Sequence, residues 1–398
     1  MNPNSKVTSV PFSRPVLGPE EEKAVVEVLR SGWLTTGPQT QAFEKEFADY
    51  AGTKFALAVN SATAGLHLAL EALGVGPGDV CAVPDYTFTA TAEVVRYQGA
   101  DPVFLDCSPK SPNFDPQRLE ELLRKQRVKV VIPVHLTGEP FDSEALTFLQ
   151  GRYGFAVVED AAHMIPSRRP DGRLWGSGSE VGVFSFYANK NMTTGEGGMI
   201  VTDNEAWAHR MRRMRLHGID RDAFDRFTSP RGSWAYQIVA PGFKYNMTDV
   251  AAAIGRVQLT KAQAFWKARQ RLVQRYSEGL ASCHHLELPR WREDHAWHVY
   301  SPLLAPEVSA WRDRFVQELT QKGVGVSVHY TPLHRMQYWR ETYDLRPEAF
   351  PHSASRGERT FSLPLYPSMT EAQQEFVLDA VIQVHQWMSQ EVDSGHTP

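Results

Sequence analysis

A mostly parallel β-sheet layered between helices, followed by a smaller α+β unit, is the fold class this chain predicts. Two observations carry it. From Phe55 to Glu159, short apolar runs alternate with helical patterns, as expected of a buried parallel sheet whose crossovers are helices. After Asp160 the alternation changes, and a long helical pattern from Thr248 towards Tyr276 leads into a mixed segment from Trp297 to Trp387. The expected division is residues 1–255 and residues 256–398, with the boundary inside that long helix.

The first helix is punctuated at both ends: Pro19 near its start, Glu20, Glu21 and Glu22 in the first turn, Val25, Val28 and Leu29 on one face, and Gly32 after it. A second runs from Gln39 to Tyr50 and stops at Gly52. The alternation then reads strand Phe55–Val59, helix Thr63–Leu73, strand Val80–Val83, helix Ala90–Tyr97 and strand Pro102–Leu105. It continues with a helix opened by Asp115-Pro116, strand Val128–Val134, helix Ser143–Tyr153 and strand Phe155–Glu159. Val181–Phe186 and Gly198–Thr202 are two further strands, joined by a polar loop that carries Lys190. The last residues, Glu391 to Pro398, are polar and expected to fray.

Composition narrows the function. With 398 residues, 42% apolar and 22% charged, the chain is globular rather than disordered. Its 42 basic and 46 acidic residues leave a net charge of -4, no surplus that would mark a nucleic-acid or anionic-membrane binder. No apolar run is long enough to span a bilayer, and the first residues lead into no signal-peptide core. Cys81, Cys107 and Cys283 stand far apart in no metal or redox spacing, so reduced thiols and a cytoplasmic location are expected. His295, His298, His329 and His334 match no closed zinc pattern, and no metal is expected.

Four segments could carry chemistry. In Ser185–Gly198, Lys190 lies on a glycine-bearing loop between apolar strands; a lysine drawn into a pocket loses proton affinity and becomes a candidate imine-forming nucleophile. The alternative is a solvated charge. Asp160, ending Ala156-Val-Val-Glu-Asp160, is either a helix cap or a carboxylate at the carboxyl end of a parallel strand, where open α/β sheets bind ligands. Asn60-Ser-Ala-Thr63-Ala64-Gly65 follows a strand and opens a helix, so it can cap that helix or present N–H groups to a phosphate. Phe88, in Pro84–Thr91, is either core or a face for a flat ring. Neither a Walker motif nor a complete Gly-x-Gly-x-x-Gly turn is present, and Gly176-Ser-Gly178 precedes a strand instead. A lysine for an imine, a carboxylate for a pyridine nitrogen, a helix terminus for a phosphate and an aromatic face together call for pyridoxal 5'-phosphate.

These segments resemble the DegT-type nucleotide-sugar aminotransferases, a branch of the fold-type I pyridoxal phosphate enzymes. The likeness runs from Phe12-Ser-Arg-Pro15 to the region of Trp387 and is carried by Ser31–Pro38, Ser61–Gly65, Glu159–His163, Ser185–Gly198 and Ala251–Leu259. His217–Arg226, Gly242–Asp249 and His295–His298 are similar to the branch that forms UDP-4-amino-4-deoxy-L-arabinose. The resemblance implies that Lys190 is the Schiff-base lysine and Asp160 the partner of the ring nitrogen. It places His163 on the ring's hydroxyl side, Thr63, Ala64 and Ser185 on the phosphate, and Phe88 over the ring. Where many members read Asn-x-Arg, this chain has Lys244-Tyr-Asn246, so Asn246 or Lys244 would supply the neighbouring subunit's contact to the phosphate.

The same resemblance implies a homodimer with shared active sites, L-glutamate as amino donor giving 2-oxoglutarate, and a nucleotide-linked keto sugar as acceptor. The amino sugar formed would serve a cell-surface polysaccharide or lipid A. Trp33, Thr36, His329 and Tyr330 are the expected substrate contacts. A sugar dehydratase on this fold replaces the lysine by histidine, and a non-catalytic sensor would be expected to lose Lys190 or Asp160; this chain keeps both.

Overall fold

The computed structural model describes residues 7–220 and 236–398; Arg221–Arg226, part of a segment singled out above, lie outside the described residues. Helix α1 (Pro19–Ser31) starts where Glu21 accepts the Gly18 N–H at 2.8 Å and ends at Gly32, whose φ of 74° suits glycine. Helix α2 (Pro38–Ala51) has no side-chain cap of its own. Instead Asp249, distant in sequence and buried, accepts from the N–H groups of Gly37 (2.8 Å), Gln39 (3.0 Å) and Thr40 (3.0 Å), and from the Thr40 hydroxyl (2.7 Å).

Seven strands form one sheet: β1 (Phe55–Val59), β2 (Val80–Pro84), β3 (Asp101–Leu105), β4 (Val130–Val131), β5 (Ala156–Asp160), β6 (Val181–Ser185) and β7 (Gly198–Thr202). Their order is β1-β7-β6-β5-β4-β2-β3, parallel except at β7, which runs antiparallel to both neighbours. Period-two alternation sends Leu57, Val59, Val83, Val158, Val183 and Ile200 to one face. There they meet α3 (Ala62–Ala72), α4 (Ala90–Tyr97) and α7 (Glu205–Met214). Ala56, Ala58, Phe184, Met199 and Val201 face the other way, against Phe43 and Phe47 of α2. Helices α5 (Pro116–Lys125) and α6 (Ser143–Tyr153) cover the β2–β4 end through Leu119, Leu123, Leu146 and Leu149.

The expected strand Val128–Val134 contracts to Val130–Val131. Pro133 has no N–H to continue the ladder, yet its carbonyl accepts from Asp160 N at 2.9 Å, and Val134 bridges Asp160. The break bends the chain at the carboxyl end of β5, where the site lies.

Helix α8 (Asp249–Gly279), capped by Thr248, spans 31 residues and changes neighbours along its length. Ala252, Leu259 and Ala262 pack with the sheet-side cluster. Leu272, Val273 and Tyr276 pack into a second core with Trp297, Phe315, Phe361, Val381 and Val10. Beyond α8 come the short pair β8 (Leu286–Glu287) and β9 (Leu303–Leu304), then α9 (Arg312–Gln321), α10 (Gln337–Tyr343), α11 (Pro351–Arg359) and α12 (Glu371–Asp393). No helix among the described residues is long and apolar enough to cross a membrane.

Candidate active site

A cavity of about 350 Å³ opens at the carboxyl ends of the parallel strands, the position at which open α/β sheets bind ligands. Lys190 reaches it from the β6–β7 loop and Asp160 from the end of β5. Asp160 is buried; its Oδ2 accepts from the Thr91 hydroxyl at 2.9 Å and its Oδ1 from the Ala162 N–H at 3.2 Å. Burial pushes its carboxyl above the usual range, while Ala162, Thr91 and the Lys190 charge pull it back. The Lys190 amine is pulled down to about 8 by burial, against the pull of the Asp160 carboxylate. A sizeable share of neutral amine near neutral pH follows.

His163 is set by its neighbours. The Thr137 N–H donates to Nδ1 at 3.2 Å, so the ring proton of the neutral imidazole sits on Nε2, 3.4 Å from the Tyr330 hydroxyl. Burial, then the charge of Lys190 and the nearby His329 and His135, hold the ring's pKa well below the ordinary range. His163 is therefore a neutral N–H donor. His329 shares the wall and is pushed down to about 4 by burial and Lys190. Phe88 is 56% exposed, and its ring lies 5.8 Å from that of Tyr330 between centroids, tilted by 49°.

The anion end is built at the start of α3. Ser61 caps it by accepting the Ala64 N–H at 3.1 Å, while Ala62 and Thr63 line the cavity with first-turn N–H groups that have no helical acceptor. Ala64 itself faces the sheet core, its N–H already engaged. Ser185, at the end of β6, lines the same end. Glycine at 198 permits this closeness: a Cβ there would sit 2.7 Å from Ala62 N and 2.9 Å from Phe184 O. Gly195, with φ 81°, turns the loop that returns from Lys190.

Lys244, Asn246, Thr36 and Trp33 do not line this cavity. They form a separate chain of contacts: Lys244 Nζ to Asn246 Oδ1 (2.5 Å), Asn246 Nδ2 to Thr36 Oγ1 (2.7 Å), and the Trp33 indole N–H to Thr36 O (3.1 Å). The buried histidines outside the cavity are engaged elsewhere. His334 pairs with Asp85 at 2.7 Å, His295 Nδ1 accepts from Trp297 N at 2.8 Å, and His298 meets Asn191 at 3.3 Å.

Two contributors escaped the sequence reading. Thr91 lies within the quoted Pro84–Thr91 segment, but only the folding of α4 against β5 brings its hydroxyl to Asp160. Glu159, beside Asp160, accepts from His135 Nε2 at 2.8 Å, the Ser179 hydroxyl at 2.7 Å and the N–H groups of Gly176 and Gly178. Burial would raise its pKa, but those donors hold it below the ordinary value. It anchors the strand end from which Asp160 projects.

The fold and this donor set define a fold-type I pyridoxal phosphate enzyme. Residues 15–382 match the model of the DegT/DnrJ/EryC1/StrS aminotransferase family, and the chain belongs to that family. It is similar to the spore coat polysaccharide biosynthesis protein SpsC of Bacillus subtilis, 41% identical over 377 residues, 94% of this chain and 96% of that protein. The uncharacterized protein MJ1066 of Methanocaldococcus jannaschii is also 41% identical, over 376 residues and the same shares. Among solved structures it is similar to Streptococcus pneumoniae Spr1654 in its PMP form, provisionally described as a sugar aminotransferase. The TM-score is 0.88 and the identity 31%, covering 95% of this chain and 100% of that one.

The cofactor is pyridoxal 5'-phosphate, and the residues present fit it. A buried carboxylate held up by desolvation gains from a cationic partner, the α3 start offers uncommitted N–H groups, and Asn189 Oδ1 on the cavity wall has no hydrogen bond among the described residues.

Proposed function

We propose that this aminotransferase moves the amino group of L-glutamate onto a nucleotide-linked keto sugar, the product serving a cell-surface glycan. The observation that carries the reading is Lys190 and Asp160 in one cavity, the amine brought down to about 8 beside a buried carboxylate. SpsC, named for spore coat polysaccharide, and Spr1654, described as a sugar aminotransferase, support a sugar acceptor.

Bound pyridoxal phosphate supplies an electrophilic carbonyl for the covalent link and a ring that accepts electron density. Lys190 is the residue that would carry that link. As a neutral amine, its Nζ would take the proton from the donor's carbon and, in the reverse sense, deliver one to the acceptor's carbon. Asp160 would hold the proton on the ring nitrogen through its charge, with Thr91 and Ala162 fixing the carboxylate's direction. His163, with its Nε2–H, would face the ring hydroxyl, Ala62, Thr63 and Ser185 would hold the phosphate, and Phe88 would cover the ring. His329 and Tyr330, which line the cavity beside His163, would meet the substrate.

The chain Trp33–Thr36–Asn246–Lys244 serves the cavity of a second copy, in a homodimer. Exposed Leu29, Leu34, Ile238 and Val239 give such an interface its apolar surface. The division into a cofactor-binding unit and a smaller C-terminal one falls within α8, where its packing partners change.

The test is an assay of UDP-, GDP- and dTDP-linked keto sugars, pentose and hexose, with glutamate as donor. Formation of 2-oxoglutarate with one member supports the reading; no amino transfer to any member, by enzyme loaded with cofactor, removes it.

A further inference from the structure

Asp85 and Tyr86 follow β2 directly, are both buried, and do not line the Lys190 cavity. Their polar atoms are spent instead on one segment beyond α8, His329 to His334. The Tyr86 hydroxyl donates to His329 O at 2.8 Å and accepts the Tyr330 N–H at 3.2 Å. One hydroxyl therefore holds both polar groups of the peptide that joins two residues of the cavity wall. Asp85 holds the far end of the segment. Its carbonyl accepts the Leu333 N–H at 2.9 Å and its Oδ1 the His334 N–H at 2.8 Å, while its Oδ2 lies 2.7 Å from His334 Nδ1. The Asp85 N–H donates to Leu105 O at 2.8 Å, which ties the bracket to β3.

The bracket bears on the cavity through Tyr330. The Tyr330 hydroxyl stands 3.4 Å from His163 Nε2, and its ring lies between those of Phe88, at 5.8 Å, and His163, at 6.3 Å between centroids. Because His163 carries its proton on Nε2, the Tyr330 oxygen is the acceptor there. Its own hydrogen is left without an acceptor among the described residues. The titratable groups around it are Asp160, His163, Lys190, His329 and Tyr86. Burial, then the Asp160 charge, raises the Tyr330 phenol above its ordinary value, so it stays a neutral donor. A tyrosine swings with its backbone, so whatever fixes the His329–Tyr330 peptide also fixes where that hydroxyl points.

We infer that Asp85 and Tyr86 are positioning residues, which hold the Tyr330 hydroxyl against His163 and leave its hydrogen free to donate into the Lys190 cavity. In one respect this rests on the proposal above, that His163 faces the ring hydroxyl of the cofactor. An N–H donor at that oxygen favours its ionised form, and Tyr330 sets how the donor is shared.

The experiment is a double-mutant cycle on the cofactor-loaded enzyme: Tyr86→Phe, Tyr330→Phe and the two together. The first readout is the pH at which the absorption band of the bound cofactor titrates, which needs neither donor nor acceptor. The second is kcat/KM for conversion of glutamate. Each single variant should move the titration midpoint by about half a unit or more, in the same direction, and lower kcat/KM roughly tenfold or more. The double variant should match Tyr330→Phe alone, because Tyr86 acts through Tyr330. A native midpoint in either single variant, or a double variant in which the two shifts add, overturns the inference. His163→Ala separates it from the reading beneath it. Should that variant keep a native midpoint, the placing of His163 falls and the inference with it; should it move the midpoint while Tyr86→Phe does not, the positioning role alone falls. Tyr86→Phe keeps the buried ring. If it still fails to fold, Asp85→Asn, which keeps an oxygen for the His334 N–H, takes its place in the cycle with the same expected and overturning results.

Discussion

At the scale of single residues, the proton affinity of Lys190 is the quantity that matters most. An amine with a pKa near 8 acts as base only when neutral, so the rate in the cofactor-loaded enzyme should rise with pH through about 8. A profile flat from pH 6 to 9, with chemistry shown to limit the rate, would count against Lys190 as the base. The same shift acts on the cofactor-free fold. Between about pH 8 and the ordinary lysine value the native chain binds fewer protons than the unfolded chain, so stability rises with pH across that window. Lys190→Met should flatten that slope in urea midpoints while lowering turnover by roughly 10²–10⁴-fold or more. Asp160→Asn should leave the midpoint near native and depress kcat more than KM. The sequence points to both residues, because a lysine between apolar strands and a carboxylate at a strand end are local patterns. It does not reach Thr91, whose partner lies 69 positions away, nor the tautomer of His163, which a backbone N–H 26 positions upstream decides.

Among elements, the device that seats α2 is the carboxylate of Asp249, at the start of α8. It satisfies three backbone donors and one hydroxyl, all on Gly37–Thr40. Removing it strands buried N–H groups at about 1–3 kcal/mol each. Asp249→Ala should therefore lower the unfolding free energy by about 3 kcal/mol or more, read from denaturant midpoints; a change under about 1 kcal/mol would show that water replaces the carboxylate. A second element-level prediction concerns Gly198. Its added Cβ would meet backbone of the α3 start, so Gly198→Ala should weaken cofactor retention in dialysis far more than it lowers the melting temperature. Helix ends were legible from Pro19, Gly32, Gly52 and Thr248, each a local stop or start signal. The break in β4 could be foreseen from Pro133 but was outweighed by the apolar run around it.

For the whole molecule, the proposed sharing of each site between two copies has a direct test. Mixing Lys190→Ala chains with Thr36→Ala/Asn246→Ala chains, each impaired alone, should restore part of the activity through hybrid dimers carrying one intact site. No recovery after verified subunit exchange would remove the shared-site arrangement. The alternation of apolar runs and helical patterns by itself determined the class of fold and most strand and helix positions, because each is written in neighbouring residues; local motifs made Lys190 and Asp160 candidates, and the fold brings both to one cavity. Tertiary structure alone decided that β7 runs antiparallel between β1 and β6, that Asp249 caps a helix some 200 positions away, and that Lys244 and Asn246 lie apart from Lys190. Those outcomes depend on which distant surfaces exclude water together, and no local period encodes that choice.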